Sequence, residues 1–213
     1  MLKGLLQSEL FYCNHLGVSE KDEQDVKEFT IRDEKGTGLL NYIQQYAFPD
    51  EDSGTMRTYI VRDKFSSEMV GFFSLKAGLI SYNEHDVAII DEETGAEVVN
   101  SETGKIKTRR VFDTLPGVEL ANFAVNQTYI NNHPDYKGVG LVIYQKFILP
   151  IINRVANEIG IKILYIFALP YKDLIGRYNA YGFSRLDENY ENEIHSRLKP
   201  EYDEACIFMY RML

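Results

Sequence analysis

The chain has 213 residues, 45% apolar and 26% charged, which fits one large or two small globular domains with a substantial core. Its 32 acidic residues against 23 basic ones leave a net charge of −9, which argues against nucleic acid or an anionic membrane surface as the main partner. Two cysteines, Cys13 and Cys206, are too few for a disulfide framework, and no apolar run reaches signal-peptide or membrane-spanning length, so a soluble cytoplasmic protein is expected.

Residues 1–53 read as mostly helical. Asp22 to Ile31 carries Val26, Phe29 and Ile31 among charges. Thr37 to Phe48 repeats Leu39, Leu40, Ile43, Tyr46 and Ala47 at helical spacing, and Pro49 is expected to stop it. Two strands follow, Thr55 to Asp63 and Glu68 to Leu79, and the short link between them makes them antiparallel. Residues 80–114 stand apart. They hold two Glu-Thr-Gly turns, at Glu93 to Gly95 and Glu102 to Gly104, with acidic residues early and Lys105, Lys107, Arg109 and Arg110 late. The pattern is that of an inserted hairpin, either solvated or serving as a flap over a substrate.

Val118 to Val125 reads as a buried strand, 126–134 as a polar loop and 138–158 as a long apolar helix that Pro150 should bend. Ile161 to Leu169 is a continuous apolar run between Gly160 and Pro170, suited to a strand parallel to 118–125 in a β-α-β crossover. Tyr171 to Tyr181 forms a short helix capped by the left-handed Gly182, followed by a strand at Phe183 to Leu186. Asp187 to Asp203 is charged and loop-like, and Glu204 to Leu213 closes the chain as a strand. One mixed α/β domain over residues 1–213 is the economical reading.

The turn Asp135 to Gly140 puts Gly138 and Gly140 at a helix start. The first N–H groups of a helix are unpaired and carry partial positive charge, and glycine lets a phosphate approach the backbone. The same residues also serve as a plain tight turn feeding a core helix.

With this turn, two further motifs carry a resemblance: a strand ending Phe123-Ala124-Val125, and Tyr178-Asn179-Ala180-Tyr181-Gly182-Phe183. In this order they resemble the GNAT superfamily of acyl-CoA-dependent N-acetyltransferases. The resemblance implies a GNAT-like fold, with a mostly antiparallel sheet splayed at a parallel strand pair and an inserted hairpin. It implies acetyl-CoA as co-substrate. Lys137, Gly138, Val139, Gly140 and Leu141 would hold the pyrophosphate, and the strand edge at Phe123, Ala124 and Val125 would pair with the pantetheine arm. Asp135 departs from the family pattern, which has Gln or Arg there.

The implied reaction is direct attack of a primary amine on the thioester in a ternary complex. It needs a base for the amine and an acid for the leaving thiolate. The resemblance makes Tyr178 the acid and offers Glu119 as a base acting through water. Period 2 puts Glu119 on the face of Ala121 and Phe123. His133, whose ordinary pKa is near neutral, is another base, and water a third. The four histidines show no ligand spacing, and no metal is expected. The acidic chain suits a cationic acceptor such as a polyamine or lysine side chain, and it is compatible with a homodimer. The alternative is an acyl-CoA-binding sensor module with little turnover, which Asp135 favours.

Overall fold

In the computed structural model, which describes residues 6–7, 9–32, 34–198 and 205–213, the apolar runs meet in an eight-stranded sheet of order β1-β2-β3-β4-β5-β6-β8-β7. Strands β1 (Leu6–Gln7) and β2 (Phe11–His15) occupy a stretch expected to be helical. In β2, Phe11 and Cys13 are buried at period 2 and the strand pairs antiparallel with β3 (Arg57–Asp63), a tertiary contact that local composition hides.

Helix α1 (Asp22–Lys27) is shorter than expected. Helix α2 (Thr37–Asn41), a π turn at Tyr42–Tyr46 and α3 (Ala47–Ser53) run on as one helix past Pro49. The Ala47 amide reaches back five residues to the Tyr42 carbonyl, so Pro49 falls in the first turn of a new α segment, where a missing N–H costs little. The stop comes instead at Gly54, whose φ is +76°.

Strands β4 (Met69–Ala88) and β5 (Thr108–Val125) pair from Gly71 opposite Val125 to Ala88 opposite Thr108. The hairpin at 80–114 is thus the outer half of one long ribbon whose inner half lies in the core sheet. The sequence suggested a boundary at residue 80 because the strands lose their apolar character there, not their pairing.

Asn126 caps helix α4 (Gln127–Asn132) by accepting from the Thr128 amide at 3.2 Å, where a loop was expected. Helix α5 (Val139–Ile143), a π turn at Tyr144–Ile148 and α6 (Leu149–Ile159) form a 21-residue helix. Pro150, expected to bend the helix, again lies just after the π turn, in the first turn of the following α segment. By length and composition alone this helix could cross a membrane, contrary to expectation. Its Ile143, Phe147, Ile148, Ile151 and Ile152 are instead buried in the core with Val118, Leu120 and Leu164 of the sheet.

Strand β6 (Ile163–Ala168), helix α7 (Lys172–Ala180) and strand β7 (Ser184–Arg185) follow as expected. Helix α8 (Glu188–Arg197) replaces part of the expected loop, and β8 (Ile207–Met212) closes the sheet; residues 199–204 of those two expectations lie outside the described residues. Polar groups hold α8. Asp187 accepts from the Tyr190 amide at 3.2 Å, and the buried Glu191 accepts from Arg185 at 2.8 Å and from the Phe208 amide at 3.3 Å. A helix anchored this way shows no apolar stripe for periodicity to find.

Candidate active site

All neighbouring strands are antiparallel except β5 and β6, whose parallel pairing runs only from Gly117–Ile163 to Glu119–Tyr165. Beyond that point the two strands splay. Here β5 also carries a bulge: Leu75 faces Leu120 and Ser74 faces Asn122, leaving Ala121 extra. The bulge reverses the alternation. Phe123 and Val125 pack with Val118 and Leu120 beneath α5 and α6, whereas Ala124 packs with Phe72 and Leu39 on the α2 side.

The expectation that Glu119 shares a face with Phe123 is therefore corrected. Glu119 stands opposite Lys76 and beside Tyr165, whose hydroxyl donates to it at 3.4 Å. Two glycines facing each other, Gly78 and Gly117, make room for the Tyr165 ring; a Cβ on Gly78 would lie 1.9 Å from its hydroxyl oxygen.

Two cavities flank the splay. The larger, of about 570 Å³, is lined by Phe123, Ala124 and Val125 on one wall and by Gly138, Val139, Gly140 and Leu141 on the other. Gly138 has φ +71° as the cap before α5, a conformation that glycine takes without strain. The first-turn amides that follow it have no carbonyl within the helix. A Cβ on Gly140 would lie 3.5 Å from the Tyr181 hydroxyl and 3.6 Å from Val125, so glycine keeps this wall thin. Lys137 and Asp135 are not among the lining residues. The cations there are Arg32 and Arg177, which no sequence spacing announced.

The smaller cavity, of about 270 Å³, sits between the splayed strands and is lined by Leu39, Leu120, Ala121, Ile166, Phe167, Leu169 and Tyr171. Among the described residues no carboxylate lines it, and the charged one is Lys35, whose Nζ lies 4.2 Å over the Tyr171 ring. Phe123, Leu174 and Tyr178 line both cavities.

Tyr178 is held from its C-terminal side. The Phe183 amide donates to the Tyr178 carbonyl at 3.0 Å across Gly182, whose φ is +89°. Arg211 donates to the Tyr181 carbonyl at 2.8 Å, and Tyr181 stacks on Tyr144 with centroids 4.5 Å apart. Burial, reinforced by Tyr181, pushes the Tyr178 pKa above the ordinary tyrosine value, so the hydroxyl keeps its proton at neutral pH.

Neither Glu119 nor His133 lines these two cavities. His133 Nε2 lies 2.8 Å from Glu68, and its ring stacks on Tyr136. The hydrogen bond with His133 holds the Glu68 carboxyl below its usual pKa.

The strand order, the single splayed parallel pair and the glycine-capped helix beneath it define the GNAT fold that the sequence resemblance implied. No family model matches the sequence. Solved structures match its fold. A tyrosine-to-phenylalanine mutant of KacT matches with a TM-score of 0.61 at 11% identity over 96% of this chain and 95% of that one. AtaTR bound with acetyl-CoA matches at 0.58 and 14% identity, over 96% and 94%. AtaT complexed with acetyl-methionyl-tRNAfMet matches at 0.55 and 13% identity, over 93% of each chain. At such identities the likeness establishes the fold.

Proposed function

We propose that the chain is an N-acetyltransferase that moves an acetyl group from acetyl-CoA to a primary amine within a ternary complex. The observation that carries this reading is that the glycine-walled cleft and the apolar cavity meet at Tyr178. The residues present fit acetyl-CoA. The first-turn amides after Gly138, with Arg32 and Arg177, suit the pyrophosphate, and the β5 edge at Phe123 to Val125 suits the pantetheine amides. Asp135, which favoured a binding module without turnover, stands outside the lining. The solved complex of AtaTR with acetyl-CoA supports the same co-substrate.

When bound, acetyl-CoA supplies an activated thioester. Tyr178 supplies the proton for the departing sulfur, its hydroxyl kept protonated by its apolar surroundings. We assign the amine's proton to Glu119 acting through water, because Leu120 and Ala121 beside it line the acceptor cavity and Tyr165 orients its carboxylate. His133 is left out, being engaged with Glu68.

The cavity also argues about the acceptor. A polyamine would meet apolar walls and the cation of Lys35, with no carboxylate among the described lining residues to pair with it. An α-amine beside an apolar side chain fits instead. The AtaT complex with acetyl-methionyl-tRNAfMet shows that fold with an apolar aminoacyl group on tRNA, which weighs against excluding nucleic acid on net charge alone.

Calorimetric titration with acetyl-CoA, run beside thiol release over methioninamide, methionyl-tRNA and spermidine, tests the reading. Binding together with release from an apolar amine is expected. Absence of acetyl-CoA binding would sink the proposal.

A further inference from the structure

The acetyltransferase reading leaves the outer half of the β4–β5 ribbon without a task, and its tip is built with care. A nine-residue pattern repeats there: Ile89-Ile90-Asp91 leads into Glu93-Thr94-Gly95, and Val98-Val99-Asn100 into Glu102-Thr103-Gly104. Asp91 accepts from the Glu93 and Thr94 amides at 3.2 and 2.9 Å, and Asn100 accepts from those of Glu102 and Thr103 at 2.9 and 3.1 Å. Equivalent positions then close on one another. The Ile89 amide donates to the Lys107 carbonyl at 2.9 Å, Val98 to Ile89 at 2.8 Å, and Lys107 to Val98 at 2.8 Å. This triangle of main-chain bonds makes a stiff end that pairs its own backbone.

The apolar residues of this stiff end face outward. Ile90, Val99 and Ile106 are 51%, 52% and 46% exposed, and Tyr82, Val87 and Phe112 are exposed along the shaft. The charges are sorted. Lys105, Lys107 and Arg109 alternate along the stretch that leads into β5, while Glu92, Glu93, Glu97 and Glu102 come from the turns and their flanks. Among the described residues none of these seven has an ion-pair partner, although Arg110 nearby pairs with Glu84 at 3.1 Å. Residues 84–110 hold seven acidic and four basic residues, so the arm as a whole would repel a polyanion.

An arm that carries exposed apolar side chains with unpaired charges of both signs can complement a copy of itself. That is the requirement of a two-fold contact, in which a surface meets a copy of itself. We infer that two copies of this chain associate through the arm, the cationic stretch 105–109 of one against the acidic turns of its partner, with Ile90, Val99 and Ile106 between them. This inference is independent of the acetyltransferase reading.

Sedimentation equilibrium tests it with two charge-reversed proteins, Lys105→Glu/Lys107→Glu/Arg109→Glu and Glu93→Lys/Glu97→Lys/Glu102→Lys. The wild type is expected to dimerise, more weakly as salt is added, because exposed ion pairs are screened. Each reversed protein alone is expected to be monomeric, and an equal mixture of the two to recover the dimer, which also shows that both are folded. A wild type that stays monomeric at its highest soluble concentration overturns the inference. So does a dimer that survives either reversal, or a mixture that stays monomeric.

Discussion

Tyr178 lines both cavities and keeps its proton, so the proposed acid for the thiolate is a single phenol that can be removed with little change in side-chain volume. Tyr178→Phe should lower kcat by roughly 10²–10⁴-fold, the usual weight of a general acid, with acetyl-CoA affinity nearly unchanged in a parallel titration. A separate residue-scale test concerns stability. Burial opposes ionisation of Asp63, but hydrogen bonds from the Ser66 and Phe65 amides and the Tyr129 hydroxyl outweigh it and hold the carboxyl below its ordinary pKa. A depressed folded pKa contributes stability above the unfolded value of ~3.9, and that stability is lost as pH falls through the folded value. The melting temperature should therefore drop on acidification below about pH 4, and Asp63→Asn should flatten that drop in a pH series of thermal melts. Motif residues were legible at this scale because glycine spacing and a left-handed cap are local properties. Arg32 and Arg177 were not, since Arg32 reaches the cleft only through tertiary packing and Arg177 lies beside Tyr178 without any motif of its own.

At the scale of elements, the paired Gly78 and Gly117 let Tyr165 lie across the ribbon where the arm leaves the core. Gly78→Ala should cost at least the 1–3 kcal/mol typical of overpacking, since the new methyl would collide with the buried Tyr165 ring; denaturant unfolding measures it. The parallel strand, the glycine-capped helix and the closing Gly182 were all readable from runs of apolar residues and their punctuation. What escaped were features decided by partners. Helix α8 rests on Glu191 and its hydrogen bonds, β2 on its pairing with β3, and the reversal of Glu119 against Phe123 on one extra residue, Ala121, which no alternation pattern marks. Both prolines expected to stop or bend helices, Pro49 and Pro150, are tolerated just after π turns, a register change that sequence periodicity does not show.

For the whole molecule, net charge and cavity lining point to different acceptors. The chain carries −9, while the described residues that line the cavity beside Tyr178 are mostly apolar and include a lysine. Steady-state thiol release should therefore favour methioninamide over spermidine in kcat/KM, and the reverse order would return the acceptor to the cationic class. The central claim is that the helix start at Gly138 binds acetyl-CoA beside Tyr178. Calorimetric titration of acetyl-CoA into the wild type and Gly138→Glu tests it most directly, because a glutamate there puts a carboxylate and a side chain at the proposed pyrophosphate position. The account predicts saturable binding in the wild type and its loss in the variant, with both proteins folded by circular dichroism. Equal affinity in the two would contradict it.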